Sequence, residues 1–396
     1  MTNLHFDARD LFQVIRLGWS GKKIWTGLCG LLLAYVSYSV LVTLGYVMSG
    51  MSTSEVWHVY GLFPGAAPER VGGMGAILHL LAMVFSGVVF SLTTSMMCKI
   101  TYQQLRGDDF YSSGAALAFV KKHWGGVIFG PVACAALFLL FVASGIIIGW
   151  VAGLIPVVGE LAFAVGFIPI FFAALVAVFM VFAIVAALVM SPAIVGTVGE
   201  DALEVVIQAF SLCWSQPWRI GLYLVWVGVS VWIGTVILSG LMTLALGLIN
   251  WSAGMFMGDK LPAMLQIAQG YLPPVDFSSA ILNAFPEMTT VWSDLPQASA
   301  TGSVVWAGRI LGLMLIILSG VLFVYAQAAI ASGTSLIYVI LRLKKDDENM
   351  LEWEDPDSED FNFEAESEST NESVSTDEPG SDDQTATDGS TTSDPA

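Results

Sequence analysis

Residues 201–219, DALEVVIQAFSLCWSQPWR, form an amphipathic stretch with polar ends that runs straight into a long apolar segment starting near Ile220. The same plan occurs twice earlier. Aligned on Trp19, Trp124 and Trp214, apolar residues stand at three shared upstream positions: Leu11, Phe12 and Ile15; Ala116, Leu117 and Val120; Val206, Ile207 and Phe210. In helical geometry these positions and the tryptophan gather on one face. The pattern predicts a short helix lying at a membrane surface with its Trp at headgroup level, used three times to launch a pair of spans. Trp218, at the end of the third copy, is a further anchor of the same kind.

Composition agrees with that class. With 56% hydrophobic and 12% charged residues and a mean hydropathy of +0.73, the chain cannot cover itself with a soluble surface. Its formal charge of −18 is local in origin: of 33 acids, 19 lie from Asp346 onward, where there is no Lys or Arg, leaving 14 acids against 15 bases in the first 345 residues. The expected domains are therefore a membrane domain, 1–345, and an acidic tail, 346–396, too poor in apolar residues to fold alone and so disordered. Nucleic acid is a poor partner for such a tail. Trp353, Phe361 and Phe363 among its acids suit docking on a basic protein partner; a solvated, repulsive tail is the plainer reading.

Six apolar stretches meet the roughly 20 residues that a bilayer requires: 24–48, 74–97, 127–154, 161–190, 220–248 and 304–343. The first is too long for a signal-peptide core and has no convincing cleavage site, so it reads as an uncleaved span. Twelve of the fifteen Lys and Arg residues flank one side of these spans, and only Arg70, Lys260 and Arg309 lie elsewhere. By the positive-inside rule both termini are cytoplasmic, in a cell (inner) membrane. The fold class that follows is all-α and polytopic: six transmembrane helices in three parallel repeats of an inner surface helix plus two spans.

Within the spans, Gly126 and Gly130, Gly145, Gly149 and Gly153, and Gly308 and Gly312 recur at four-residue spacing, which suits close helix packing inside one chain or a homodimer face. Pro169 should kink the fourth span. Of the two outer loops, the longer, residues 250–302, holds stretches at 255–268 and 277–285 that read as helices capping the bundle. Structural capping is one role for them and ligand binding another.

The search for chemistry is negative. His5, His58, His79 and His123 have no partners at metal-ligand spacing, and Cys29, Cys98, Cys134 and Cys213 stand singly, so no metal site, cofactor or outer disulfide is expected. There is no phosphate loop and no nucleophile elbow, and the chain does not read as an enzyme. A proton-coupled carrier buries ionisable groups; here His79 is the one mid-span candidate, as a relay or as a hydrogen-bonded packing residue. Gln327 with Ser332, Thr334 and Ser335, and the patch Ser91, Thr93, Thr94 and Ser95, suit a polar path or interhelical hydrogen bonds equally.

Ser191-Pro192-Ala193-Ile194-Val195, then Glu200-Asp201-Ala202-Leu203, the Trp-bearing helix, and SGTSLIYVILR at 332–342 together resemble a large group of prokaryotic six-span proteins. That group includes the membrane domain attached to some glycerophosphodiester phosphodiesterases. The resemblance covers most of residues 1–345 and implies a membrane scaffold, with no catalytic residue to carry over because no stretch matches the soluble phosphodiesterase domain. Two features of the group are missing: the Arg-Ser before the aromatic is absent around residues 209–214, and Ile340 stands where an acidic residue commonly precedes the final Leu-Arg. Two functions stay open: a non-catalytic scaffold or accessory protein whose partners are the lipid bilayer and proteins recruited on the cytoplasmic side, and a permease or lipid-handling protein using the bundle interior.

Overall fold

Long apolar runs without internal caps leave the backbone no partner in hydrocarbon except itself, so each closes its hydrogen bonds as a helix. In the computed structural model, which describes residues 8–67, 69, 71–270, 302–346 and 349–352, there is no strand among the described residues. A 3-10 turn, Ala8–Gln13, leads into α1 (Val14–Gly18), followed by α2 (Gly21–Met48), α3 (Thr53–Tyr60), α4 (Met74–Arg106), α5 (Ser113–Leu154), α6 (Val158–Val165), α7 (Phe167–Val198), α8 (Ala202–Ser215), α9 (Pro217–Met257), α10 (Lys260–Gln269) and α11 (Gly302–Asp346). Six of these, α2, α4, α5, α7, α9 and α11, are long and apolar enough to cross a membrane. The protein is an all-α, multi-pass membrane protein. The acidic tail from Trp353 and the expected helix at 277–285 lie outside the described residues.

Helix boundaries follow local chemistry. Gly107 and Gly199 end α4 and α7 in the left-handed conformation, which a side chain would resist. Pro217 occupies the first turn of α9, where its missing N–H is no loss. The expected kink at Pro169 is absent for the same reason: the fourth span begins at Phe167, not at 161, because Val158–Val165 is a separate helix, and Pro169 falls in the first turn of α7.

Each of the three repeats consists of a short helical segment and a hairpin of spans. In the middle repeat the short segment is continuous with α5, and the break is a single non-helical residue, His123, directly before Trp124. The other two breaks fall at Trp19–Ser20 and at Gln216. The short segments pack cyclically, each on the hairpin of another repeat. Gly18 lies against Ala329, and Phe12 meets Trp226 at 5.1 Å, so the first segment rests on α9 and α11. Phe119 lies under Lys99 of α4. Val205 covers Gly130, and Trp214 meets Phe179 at 5.4 Å, so α8 rests on α5 and α7.

The expected single face of these segments is in fact divided. Leu11, Ala116 and Val206 are buried in the protein, whereas Phe12, Leu117 and Ile207, and all three tryptophans, are exposed. An apolar stripe this wide serves the bundle along one edge and leaves the other uncovered.

The core is concentrated at the end of the bundle that carries these segments, here the terminal half; the opposite end, with α3 and α10, is the loop half. Residues 331–341 of α11 are buried all round. Around them lie Met97 and Cys98 of α4, Ile194 and Val195 of α7, and Val227 of α9. The described body runs on to Glu352, past the expected boundary at 345: Met350 is buried, and the Tyr102 hydroxyl donates to its carbonyl at 2.6 Å.

Candidate functional site: the buried polar cluster of the terminal half

Adjacent lysines on a helix point about 100° apart, so a Lys-Lys pair at the start of a span cannot keep both ammoniums on one side. Lys22 reaches the carbonyls of Asp109 and Tyr111 at 2.9 and 3.2 Å. Lys23 turns inward and is fully buried, donating to Leu17 O at 2.9 Å and Ser332 Oγ at 3.0 Å. It thus ties the last turn of α1 and the middle of α11 to α2. An ammonium held out of water costs several kcal/mol unless its donors are used, and these two bonds offset part of that cost. Ser332 Oγ and Thr101 Oγ1 share a hydrogen bond of 3.2 Å in which either can donate, and each hydroxyl also lies 2.8 Å from a carbonyl of its own helix, Ala328 O and Met97 O, to which the other one donates. Cys98, next to Lys99, donates its thiol hydrogen to Ala331 O at 3.4 Å. Lys99 is buried as well, its ammonium 3.8 Å from the centre of the Phe119 ring, a desolvated cation–π contact.

This cluster holds two lysines that the sequence counts as flanking bases. The signal for Lys23 was available in the Lys-Lys pair itself; for Lys99 none existed, because its burial depends on where α5 begins.

The predicted polar site does not assemble. His79 is fully buried among α2, α4 and the loop between α3 and α4: the Ala67 N–H donates to Nδ1 at 3.2 Å, and Nε2 lies 3.1 Å from Val42 O. A backbone N–H can only donate, so Nδ1 is the acceptor and the ring hydrogen sits on Nε2. Both nitrogens are used, and the Tyr46 ring packs edge-on at 4.6 Å. Gln327 donates to Thr94 Oγ1 at 3.0 Å and Phe90 O at 3.4 Å, joining α11 to α4. Eleven to fifteen residues of α4 separate its partners from His79, about 16–22 Å along the axis, so the two polar residues serve different helix pairs. Thr93, Thr94, Thr334 and Ser335 all donate to their own helices. Ser95 Oγ is buried without a partner among the described residues.

Of the predicted anchors, Trp19 packs edge-on against Tyr325 at 5.7 Å, and the Trp124 ring is tilted against Phe129 of its own helix at 5.7 Å. The Arg219 guanidinium stands 5.2 Å over the Trp218 ring. All four tryptophans are exposed. Among the glycine ridges, Gly126, Gly130 and Gly308 sit where a Cβ would strike Glu200 and Val195, Val205, and Ile267. Gly145, Gly149 and Gly153 meet nothing.

The described residues contain no group of His, Cys, Asp or Glu arranged to hold a metal ion. In α8, burial first and neighbouring Cys134 second push the Cys213 thiol up to about 11, which keeps it protonated and unreactive at neutral pH. Comparison with known proteins found no matching family model, no matching curated protein and no matching solved structure.

Proposed function

We propose that the chain is a non-catalytic integral membrane scaffold or accessory protein, set in the cell (inner) membrane with both termini cytoplasmic, and similar in kind to the six-span group that its sequence resembles. The observation that carries this reading is the use of the interior polar groups. Lys23, Thr101, Ser332 and Gln327 bond from helix to helix, and His79 bonds to a span and a loop, so these groups hold the bundle together where a carrier would leave them facing a path. Recruitment belongs to the basic terminal face and to the acidic tail, whose partner would be a basic protein.

Two measurements test it. Proteoliposomes should show no flux of protons, sodium or amino acids above empty vesicles, while crosslinking in native membranes should recover a stoichiometric protein partner. Flux that disappears in His79→Ala or Gln327→Ala would establish the permease reading instead. Cysteine labelling from outside at Ser381 in intact cells would overturn the orientation.

A further inference from the structure

We propose that the loop between α3 and α4 is a pH-sensitive strap: residues 62–67 are tied to α4 through the neutral imidazole of His79 and part from it when that ring takes up a proton. This goes beyond the scaffold reading and does not depend on it.

The segment 62–67, LFPGAA, is not helical. It runs along α2, and side chains of the two spans hold its backbone. Tyr35 donates to Leu62 O at 2.5 Å and Tyr46 to Gly65 O at 2.7 Å, while the Ala66 N–H donates to Tyr38 Oη at 2.9 Å. These three ties lead to α2. The fourth leads to α4, from the Ala67 N–H to His79 Nδ1 at 3.2 Å. Irregular backbone beside a span needs such partners, because hydrocarbon supplies none. Phenols ordinarily ionise near about pH 10 and stay neutral where an imidazole charges, so among these four partners His79 is the titrating one.

The polarity of the fourth tie decides what a proton does. A backbone N–H can only donate, so Nδ1 offers its lone pair and Nε2, 3.1 Å from Val42 O, carries the ring hydrogen. Protonation fills the Nδ1 lone pair and sets two N–H groups against each other, while the bond from Nε2 survives. The ring has no room to turn toward a new acceptor. A Cβ at Gly45 would lie 2.5 Å from its Cδ2, and the Tyr46 ring closes another side edge-on at 4.6 Å.

Nor does a counter-charge hold an imidazolium in place. From α2 the ring meets Tyr46 and the Val42 carbonyl, and from the loop the Ala67 N–H; Tyr60, at the end of α3, stacks on Tyr46. Among the described residues no carboxylate or ammonium contacts the ring, and Glu69, further along the loop, is exposed. A fully buried cation among neutral groups is costly, so the charged ring needs water, which reaches it where the loop lifts. The strapped state excludes the proton and the open state binds it. By linkage, opening is favoured as pH falls.

The test is hydrogen exchange at single-residue resolution on the full-length chain in nanodiscs of phosphatidylethanolamine and phosphatidylglycerol, corrected for intrinsic rates. The pH is lowered from about 8 to about 4.5, through and just below the range in which an imidazole ordinarily charges. The Ala67 amide should lose about tenfold in protection, the change that one bound proton produces over one pH unit below its midpoint. The Ala66 amide, held by Tyr38, is the internal control and should keep its protection. In His79→Asn, whose amide oxygen is an acceptor that does not titrate, the Ala67 step should vanish. No step in the wild-type chain, an unchanged step in the variant, or equal loss at Ala66 and Ala67 overturns the proposal. The second readout, 15N NMR of the histidine-labelled wild-type chain, does not require the variant to fold. His79 should pass from one acceptor and one donor nitrogen to two N–H groups at the midpoint of the exchange step, and a ring that stays neutral across that step contradicts the switch.

Discussion

At the scale of single residues, the polar atoms of this protein are organised by who can donate to whom. Ser52 caps α3 by accepting from the Glu55 N–H at 3.3 Å, while the Glu55 carboxylate accepts from the Ser52 N–H at 2.7 Å, a reciprocal capping box. The backbone bond first and the hydroxyl second hold the Glu55 carboxyl below its ordinary value. A depressed carboxylate adds stability that is complete above the unfolded value, roughly 4.3, and is lost as pH falls through the lower folded one. We therefore expect the amides of residues 53–56 to lose protection below about pH 4, read by hydrogen exchange corrected for intrinsic rates. Glu55→Gln should remove that step, and the same step in the variant would place its cause elsewhere. The box was present in the sequence as Ser-x-x-Glu; the two acceptors of the buried His79 and Lys23, Val42 O and Leu17 O, were not, because backbone carbonyls carry no sequence signature.

At the scale of elements, prolines show why a motif's meaning depends on register. Pro169, which looked like a kink, is harmless in a first turn, whereas Pro131 lies inside α5 and lacks the N–H that would bond the carbonyl of Val127. Ser191 of α7, next to Pro192, donates to that carbonyl at 3.4 Å. The second hairpin is thus stitched at its root by a hydroxyl replacing a lost helix bond. Ser191→Ala should lower stability in detergent by about 1 kcal/mol, and much less in a Pro131→Ala background, where the helix bond is restored. Thermal unfolding of the four members of that double-mutant cycle measures the coupling. Equal losses in both backgrounds would mean that Ser191 acts through packing alone. Helix existence was legible because six apolar runs exceed the bilayer requirement. The stitch was not, since it joins residues 64 positions apart through a carbonyl.

At the scale of the whole described body, the tryptophan alignment gave the number of repeats and their order but not their mode of association. Sequence periodicity reports which face of a helix is apolar and is silent on whether lipid or protein covers it. The cyclic packing answers that for two of the three anchors. Trp19 rests on Tyr325 and Trp214 on Phe179, each on the second span of another repeat, whereas Trp124 rests on Phe129 of its own helix. If the anchors act by joining repeats, Trp19→Ala and Trp214→Ala should each cost about 1–2 kcal/mol, from a lost aromatic pair plus uncovered area. That corresponds to roughly 2–4 °C in detergent by the scaling for chains of a few hundred residues. Trp124→Ala should cost clearly less, because no second repeat loses a partner. Thermal scans of the three variants in one detergent make the comparison. Three equal losses would instead assign the tryptophans to the bilayer interface, where all three positions are equivalent. A loss confined to Trp124→Ala would contradict the cyclic packing itself.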